Sequence, residues 1–237
     1  MPAYNEIDTI EEIIYKVQAV KIEKEIVVVD DGSTDGTKEF LIKLQENKGE
    51  VEFEKINKFV NVDNIRIFFQ SENRGKGAAI NRGFRKVKGD VVVIQDADLE
   101  YDPREYLKLI KPIEEDFADV VYGSRFMGGN PHSILFFWHS IGNKFLTFLS
   151  NIFTNLNLTD METCYKMFKS EIVKEIEVKE KRFGIEPEIT AKISKMNVRI
   201  VEVGISYYGR RFDEGKKISW KDAIEAILCI LKYNLRK

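Results

Sequence analysis

Three polar segments hold most of the residues able to do chemistry. Asp30-Asp31-Gly32-Ser33 and Asp96-Ala97-Asp98-Leu99-Glu100 are rich in carboxylates, and Asn73-Arg74-Gly75-Lys76-Gly77 is basic and glycine-rich. Carboxylate oxygens suit a hard divalent cation such as Mg²⁺ or Mn²⁺, which commonly bridges to a diphosphate. Asp98 and Glu100 alternate, so on an extended segment both point to one side, while Asp96 faces a nucleotide or supports the turn. A glycine-rich loop that opens a helix can aim its N–H groups, with Lys76, at an anion. The plainer readings are that an Asp-x-Asp triplet arises by chance, that carboxylates after strands cap helices, and that the loop is only a helix entry.

The elements that must position these segments are legible from hydrophobic periodicity. Residues 25–31, 65–70 and 90–96 are short β-branched runs that end in polar residues, as buried parallel strands do. Between them Ile10, Ile13, Ile14 and Val17 make one helical face, with Asp8 and Glu11 spaced as a capping box. Residues 36–45 and 77–86 read as two further helices. This βα alternation predicts an α/β fold, a Rossmann-like and mostly parallel sheet with helices on both faces. Ligands bind such sheets at the carboxyl ends of the strands, where all three polar segments fall. Residues 45–64 read as a charged excursion, 119–122 as a strand, and 198–208 as a longer strand or a hairpin arm.

Composition narrows the function classes. The 237 residues carry a net charge of -2, with 32% charged residues along the whole length, which recommends no nucleic-acid partner. Cys164 and Cys229 lie far apart without metal-ligand spacing, so neither a disulfide framework nor a zinc site is indicated, and a reducing cytoplasm fits. The first residues show no signal-peptide or anchor pattern, and no run reaches the ~20 apolar residues of a membrane span. We read one domain, residues 1–218 with an acceptor half from about residue 123, followed by an amphipathic C-terminal helix, 219–237.

Pro2-Ala3-Tyr4-Asn5-Glu6, Val29-Asp30-Asp31-Gly32-Ser33, Asn73-Arg74-Gly75-Lys76-Gly77, Asp96-Ala97-Asp98-Leu99 and Gly123-Ser124-Arg125 follow one another in that order. Together they resemble the family 2 glycosyltransferases, and within these the dolichyl-phosphate mannose synthase-like branch. The resemblance implies a GT-A fold and a nucleotide-sugar donor, GDP- or UDP-hexose. It also implies an inverting transfer to a polyprenyl phosphate, with Mg²⁺ or Mn²⁺ on Asp98 and Glu100. Pro2, Ala3, Tyr4 and Glu6 then hold base and ribose, Asp30 or Asp31 contacts the base, and Asp96, Ala97 and Lys76 line the nucleotide. Arg125 faces the diphosphate or the acceptor phosphate. Arg210 and Lys216, with Lys217 as an alternative to the latter, belong to a basic loop that closes over the donor. Two departures stand out: the first strand begins inside its motif, as if truncated, and Glu100 stands where the synthases often carry Gln.

A phosphate acceptor needs no strong base, whereas a hydroxyl acceptor does. The base candidates lie in 159–166 and 183–188, with Asp160 first and bracing of a loop as its alternative role. Glu186 and Glu188 flank Pro187 as helix-start residues do. Ile134, Leu135, Trp138, Ile141, Phe145, Phe148, Leu149 and Ile152 share one helical arc opposite His139, Asn143, Ser150 and Asn151. That arc buries itself in a core or in a membrane interface, where Phe136, Phe137, Trp138 and Lys144 would suit a lipid surface. Trp220, Ile224, Ile227, Leu228 and Leu231 give a second such helix, for membrane or homodimer contact. His132 and His139 have no metal-ligand partners. The alternatives are a transferase to a soluble or polymer hydroxyl, a nucleotidyltransferase and a non-catalytic nucleotide-sugar-binding subunit.

Overall fold

A computed structural model describes residues 1–128, 137–182, 184–209 and 220–235, the side chains of 220–222 excepted. Its first half is built around β2 (Ile26–Asp30), five consecutive buried residues of which four are Ile or Val. Such a strand is stable only between two neighbours, and it has β1 (Pro2–Ala3) on one side and β5 (Ile65–Phe69) on the other, both parallel. The register places Ala3, Asp30 and Phe69 in one row. The segments that follow these three residues therefore leave the sheet at one edge.

Helix α1 (Ile10–Ala19) buries Ile10, Ile13, Ile14 and Val17, the face read from the sequence. The capping box is not formed. Thr9 occupies the N-cap, Asp8 pairs with Lys55 Nζ at 3.1 Å, and Glu11 accepts the Lys55 N–H at 2.9 Å. Both acids serve the charged excursion instead, which is an antiparallel hairpin of β3 (Glu50–Phe53) and β4 (Lys58–Asn61). Phe53 and Val60 of the hairpin are buried, which anchors it to the core. Helices α2 (Thr37–Glu46) and α3 (Lys76–Phe84) cover β5 and β2 through Leu41, Leu44, Ala79 and Ile80.

The second half has a mixed sheet in the order β6 (Val91–Val93), β8 (Lys166–Lys169), β7 (Val120–Ser124) and β9 (Ile200–Gly204). β9 runs parallel to β7, and β8 lies antiparallel between β6 and β7. The 198–208 segment is thus a short strand, and Tyr207 beyond it makes an isolated antiparallel bridge to Tyr101. Helix α4 (Tyr106–Glu114) packs on β7, and α6 (Ser170–Glu175) and α7 (Ile185–Ile193) complete this half. Glu186, Pro187 and Glu188 sit in the first turn of α7, as their types suggest.

Helix α5 (Phe137–Thr154) is inverted relative to a core helix. Leu146, Thr147, Ser150 and Thr154 face inward, while Trp138 at 78% exposure, Phe148 at 61% and Ile152 at 59% face out. Its polar side is needed inside, because Thr147 Oγ1 accepts the Met161 N–H and Asn151 bonds Leu158 in both directions. Helix α8 (Trp220–Leu235) packs on α5 and α7 and also exposes Ile224, Leu228 and Leu235. No helix among the described residues is long and apolar enough to cross a membrane. Ile134, Leu135, Phe136 and His132 lie outside the described residues.

Candidate active site

The strand-end row brings the first two motifs together. Asn5 N–H donates to Ser33 Oγ, Asn5 Oδ1 accepts the Thr34 N–H, and Glu6 N–H donates to Thr37 Oγ1. Thr9 Oγ1 lies 2.9 Å from the Ala97 carbonyl and 3.1 Å from Glu6 Oε2, tying the same loop to the Asp-x-Asp segment. Tyr4 and Glu6 remain half-buried there, with Pro2 and Ala3 in the strand beneath.

Asp30 and Asp31 are both buried. Asp30 accepts the N–H groups of Gly32 and Ser33 at 3.2 and 3.3 Å, closing its own turn. Gly32 is required at φ +75°, where a Cβ would stand 2.7 Å from the backbone of Glu72. Asp31 accepts from Arg74 N–H at 2.9 Å, Gly75 N–H at 2.7 Å and Gln70 Nε2 at 2.5 Å. Burial outweighs those bonds and raises its carboxyl above the usual range. The glycine-rich loop does aim its N–H groups at an anion, but that anion is Asp31, because the parallel register of β2 and β5 sets the two loops side by side. At Gly77 a Cβ would meet the Glu180 carbonyl at 2.0 Å, so the glycines also admit the backbone of 180–181.

Lys76 is likewise held by the protein's own acids, Asp96 and Glu186, each 3.0 Å from Nζ. Burial opposes its charge, and the two carboxylates more than compensate. The Asp98–Glu100 segment is bent, not extended, because Asp98 Oδ1 accepts the Glu100 N–H at 3.1 Å. Glu100 Oε2 accepts from Tyr207 O–H at 3.0 Å, and the Glu100 carbonyl accepts the Tyr208 N–H. Among the described residues no group of three or more His, Cys, Asp or Glu forms a closed metal cage. Two carboxylates on one bend suit a cation that keeps one or two protein ligands and takes the rest from substrate phosphates, as Mg²⁺ does.

Across from this edge Arg125, just after β7, makes a forked pair with the fully buried Asp160, Nε to Oδ2 and NH2 to Oδ1, both at 2.7 Å. Arg125 also lies over the Tyr207 ring at 5.3 Å, which places it beside the residue that bonds Glu100. Burial works against ionised Asp160, but Arg125 overcomes it and holds the carboxyl below the usual range. Of the two roles open to Asp160, this geometry is that of a brace.

The sequence profile of glycosyl transferase family 2 matches residues 1–177. The chain belongs to that family. It is 25% identical to an undecaprenyl-phosphate mannosyltransferase of Micrococcus luteus, over 99% of this chain and 92% of the relative. A dolichol-phosphate mannosyltransferase of Pyrococcus furiosus is 27% identical over 91% of this chain, which spans 57% of that protein. The fold matches glucosyl-3-phosphoglycerate synthase of Mycobacterium tuberculosis, solved with Mn²⁺ and UDP-glucose, at a TM-score of 0.71 and 18% identity, over 100% of this chain and 78% of that one. A mannosyltransferase of Pyrobaculum calidifontis, solved with GDP-mannose and Mn²⁺, gives 0.59 at 20% identity, over 92% and 56%. The fold is therefore GT-A.

In this family 2 transferase the structure also gives definite partners to Glu202 and Gln95, which sequence reasoning left aside, and to Lys166, which it named only within the 159–166 segment. Glu202 of β9 accepts the backbone N–H groups of Thr159 and Asp160, so it holds the loop that carries the brace. Lys166 is buried at 1% exposure, its Nζ bonded to the Thr163 carbonyl and lying over the Tyr122 ring. The signal for it was a lysine opening a strand whose next two residues are apolar. Gln95 accepts from both Tyr106 and Tyr165, and nothing in its spacing announced that role. Arg210, Lys216 and Lys217 lie outside the described residues.

Proposed function

We propose that this glycosyltransferase moves a hexose from GDP- or UDP-hexose to a polyprenyl phosphate, working as a peripheral protein on the cytoplasmic face of a membrane. The observation that carries the reading is the outward apolar side of α5. The inward side of the same helix supplies Asn143, which donates to Asp160 at 3.2 Å, and Asp160 orients Arg125. The surface suited to lipid is thus the outer side of a helix whose inner side is linked through Asp160 to the cation suited to a phosphate, and α8, packed on α5, exposes further apolar residues. Lys144 is exposed on α5 and lies over the Phe126 ring, next to Arg125, where an anionic headgroup would pass. Cys164 and Cys229 are free and buried, which suits a reducing compartment.

Residues 1–218 form the catalytic domain in this reading, with the C-terminal helix as an appendage. Tyr4 and Glu6 contact base and ribose from the partly open side, with Pro2 and Ala3 beneath. Asp30 or Asp31 contacts the base, and Asp96, Ala97 and Lys76 line the nucleotide. Asp98 and Glu100 hold Mg²⁺ or Mn²⁺, which when bound neutralises charge on the departing diphosphate. Arg125 binds the acceptor phosphate and aligns it for single displacement with inversion. Arg210 and Lys216, outside the described residues, bring positive charge to the donor diphosphate. Because the acceptor phosphate is already an anion near neutral pH, Asp160 has no proton to take and serves Arg125 alone.

The test is a panel of nucleotide sugars with Mn²⁺ and a short-chain polyprenyl phosphate, read by product mass. A hexosyl phosphopolyprenol is expected. Transfer only to a soluble hydroxyl acceptor would replace this reading.

A further inference from the structure

Three buried side-chain oxygens without a hydrogen-bond partner lie on residues of one charged cluster: Glu162 Oε1, Thr163 Oγ1 and Glu186 Oε2. Buried polar oxygens in folded proteins are almost always paired, so the two acidic ones call for a hydrogen. Glu186 already uses Oε1 to accept from Lys76 Nζ at 3.0 Å, which leaves Oε2 as the orphan. The Glu162 carboxyl is faced by Glu186 from α7, Lys166 from β8, Arg125 beyond β7 and Asp160 in its own loop. Lys76 of α3 and Cys164 act in turn on Lys166.

Charge balance points the same way. Lys76 bonds Asp96 and Glu186, Arg125 bonds Asp160, and Lys166 bonds the Thr163 carbonyl, so among the described residues an ionised Glu162 would be a negative charge that no cation of the cluster hydrogen-bonds. One proton on Glu162 removes that charge and supplies the missing hydrogen.

We infer that Glu162 carries a proton that it donates to Glu186 Oε2, and that this acid pair is a positioning device that keeps Glu186 on Lys76 and Lys76 on Asp96 at the nucleotide edge. The carboxyl is pushed up to about 8, first by burial and then by the charge of Glu186. The pair is therefore intact at neutral pH and opens as the pH passes that value, when two carboxylates repel each other beside Lys76. A protonated Glu162 cannot act as a base, which agrees with an acceptor that needs none. The inference rests on the transfer reading for its activity measurement only.

The experiment compares the wild-type chain with Glu162→Gln and Glu162→Ala. Infrared titration should show a carboxylic-acid band in the wild type at neutral pH, lost with a midpoint near pH 8 and absent from Glu162→Gln. Turnover of nucleotide sugar with short-chain polyprenyl phosphate should fall above that pH in the wild type. Glu162→Gln still donates a hydrogen bond, so it should stay within about threefold of wild type at neutral pH and lose the alkaline fall, while Glu162→Ala drops about tenfold. A wild type without the acid band at neutral pH overturns the inference, as does an alkaline limb that Glu162→Gln retains. Absence of any turnover beside an intact infrared titration would sink the transfer reading and leave the acid pair standing.

Discussion

Arg125 and Asp160 stand 35 residues apart in sequence and are joined by two side-chain bonds of 2.7 Å, with the Arg125 N–H adding a third at 3.0 Å. With Asn143 on Oδ1 and Glu202 on its backbone N–H, Asp160 ties β7, α5 and β9 together at one point. A carboxylate so occupied is an orienting group. It fixes a guanidinium whose flat, multi-donor shape suits a phosphate.

Asp160→Asn should therefore cost about 3–5 kcal/mol of stability at neutral pH, because Arg125 is left buried without its anion. The folded Asp160 carboxyl lies below its unfolded value. Its stabilisation is then full above the unfolded pKa of about 4 and disappears as the pH falls through the folded one. Denaturant melts from neutral to acid pH should show a steeper loss for wild type than for the variant. Parallel curves would remove the ion pair from the stability account.

Asp98→Ala should lower turnover by two orders of magnitude or about that, since diphosphate neutralisation is worth several kcal/mol. The fold should survive, because Asp98 lies on a bend after β6 and outside every strand and helix. Chelation with EDTA should have a like effect on the wild type, with recovery on adding Mn²⁺ or Mg²⁺. Full activity under chelation would show that Asp98 and Glu100 hold no ion that the reaction uses.

Asp31→Ala tests the finding that the glycine-rich loop is cradled on an internal carboxylate. Two N–H donors, that of Arg74 and that of the buried Gly75, lose their acceptor, at a cost of about 1–3 kcal/mol. Hydrogen exchange at 74–75 should accelerate while exchange in β2 stays slow. Unchanged exchange would mean that the loop keeps its shape without Asp31.

Strands β2 and β5 and helices α1, α2 and α3 were legible from local apolar patterns, whereas the 90–96 run, read as a further parallel strand, is β6 and pairs antiparallel with β8, because strand direction depends on a partner some 75 residues away that no local pattern records. The Asp8–Glu11 box failed since Lys55 of a hairpin 44 residues beyond Glu11 competes for both acids, and no local pattern records that distant partner. The Asp98–Glu100 bend was missed for a local reason: alternation assumes an extended chain, whereas a short Asp side chain can capture the N–H two residues on. Asp160 was found as a residue, but its buried partner Arg125 decides its chemistry, and pairing across the fold is a tertiary property. Glu162 shows the same limit, because its inferred proton depends on Glu186 of α7, 24 residues further along the chain.

The remaining prediction concerns α5. Phe137 and Trp138 are 67% and 78% exposed and rest mainly on each other, with ring centroids 5.1 Å apart. In a core, truncating two such aromatics would cost about 3–5 kcal/mol each. At these exposures, changing both to Ser should move stability by no more than about 1 kcal/mol. Binding to vesicles that contain anionic lipid should weaken, because apolar area available for the interface has been removed, and turnover with a lipid acceptor should fall with it. Nucleoside diphosphate affinity should not change, since Lys76 is held by Asp96 and Glu186 and not by either aromatic. Co-sedimentation with vesicles, a thermal melt and sedimentation velocity on the same samples separate the outcomes. A large drop in melting temperature would return the helix to the core reading, and loss of a dimer with vesicle binding intact would make this face a contact between two copies of the chain.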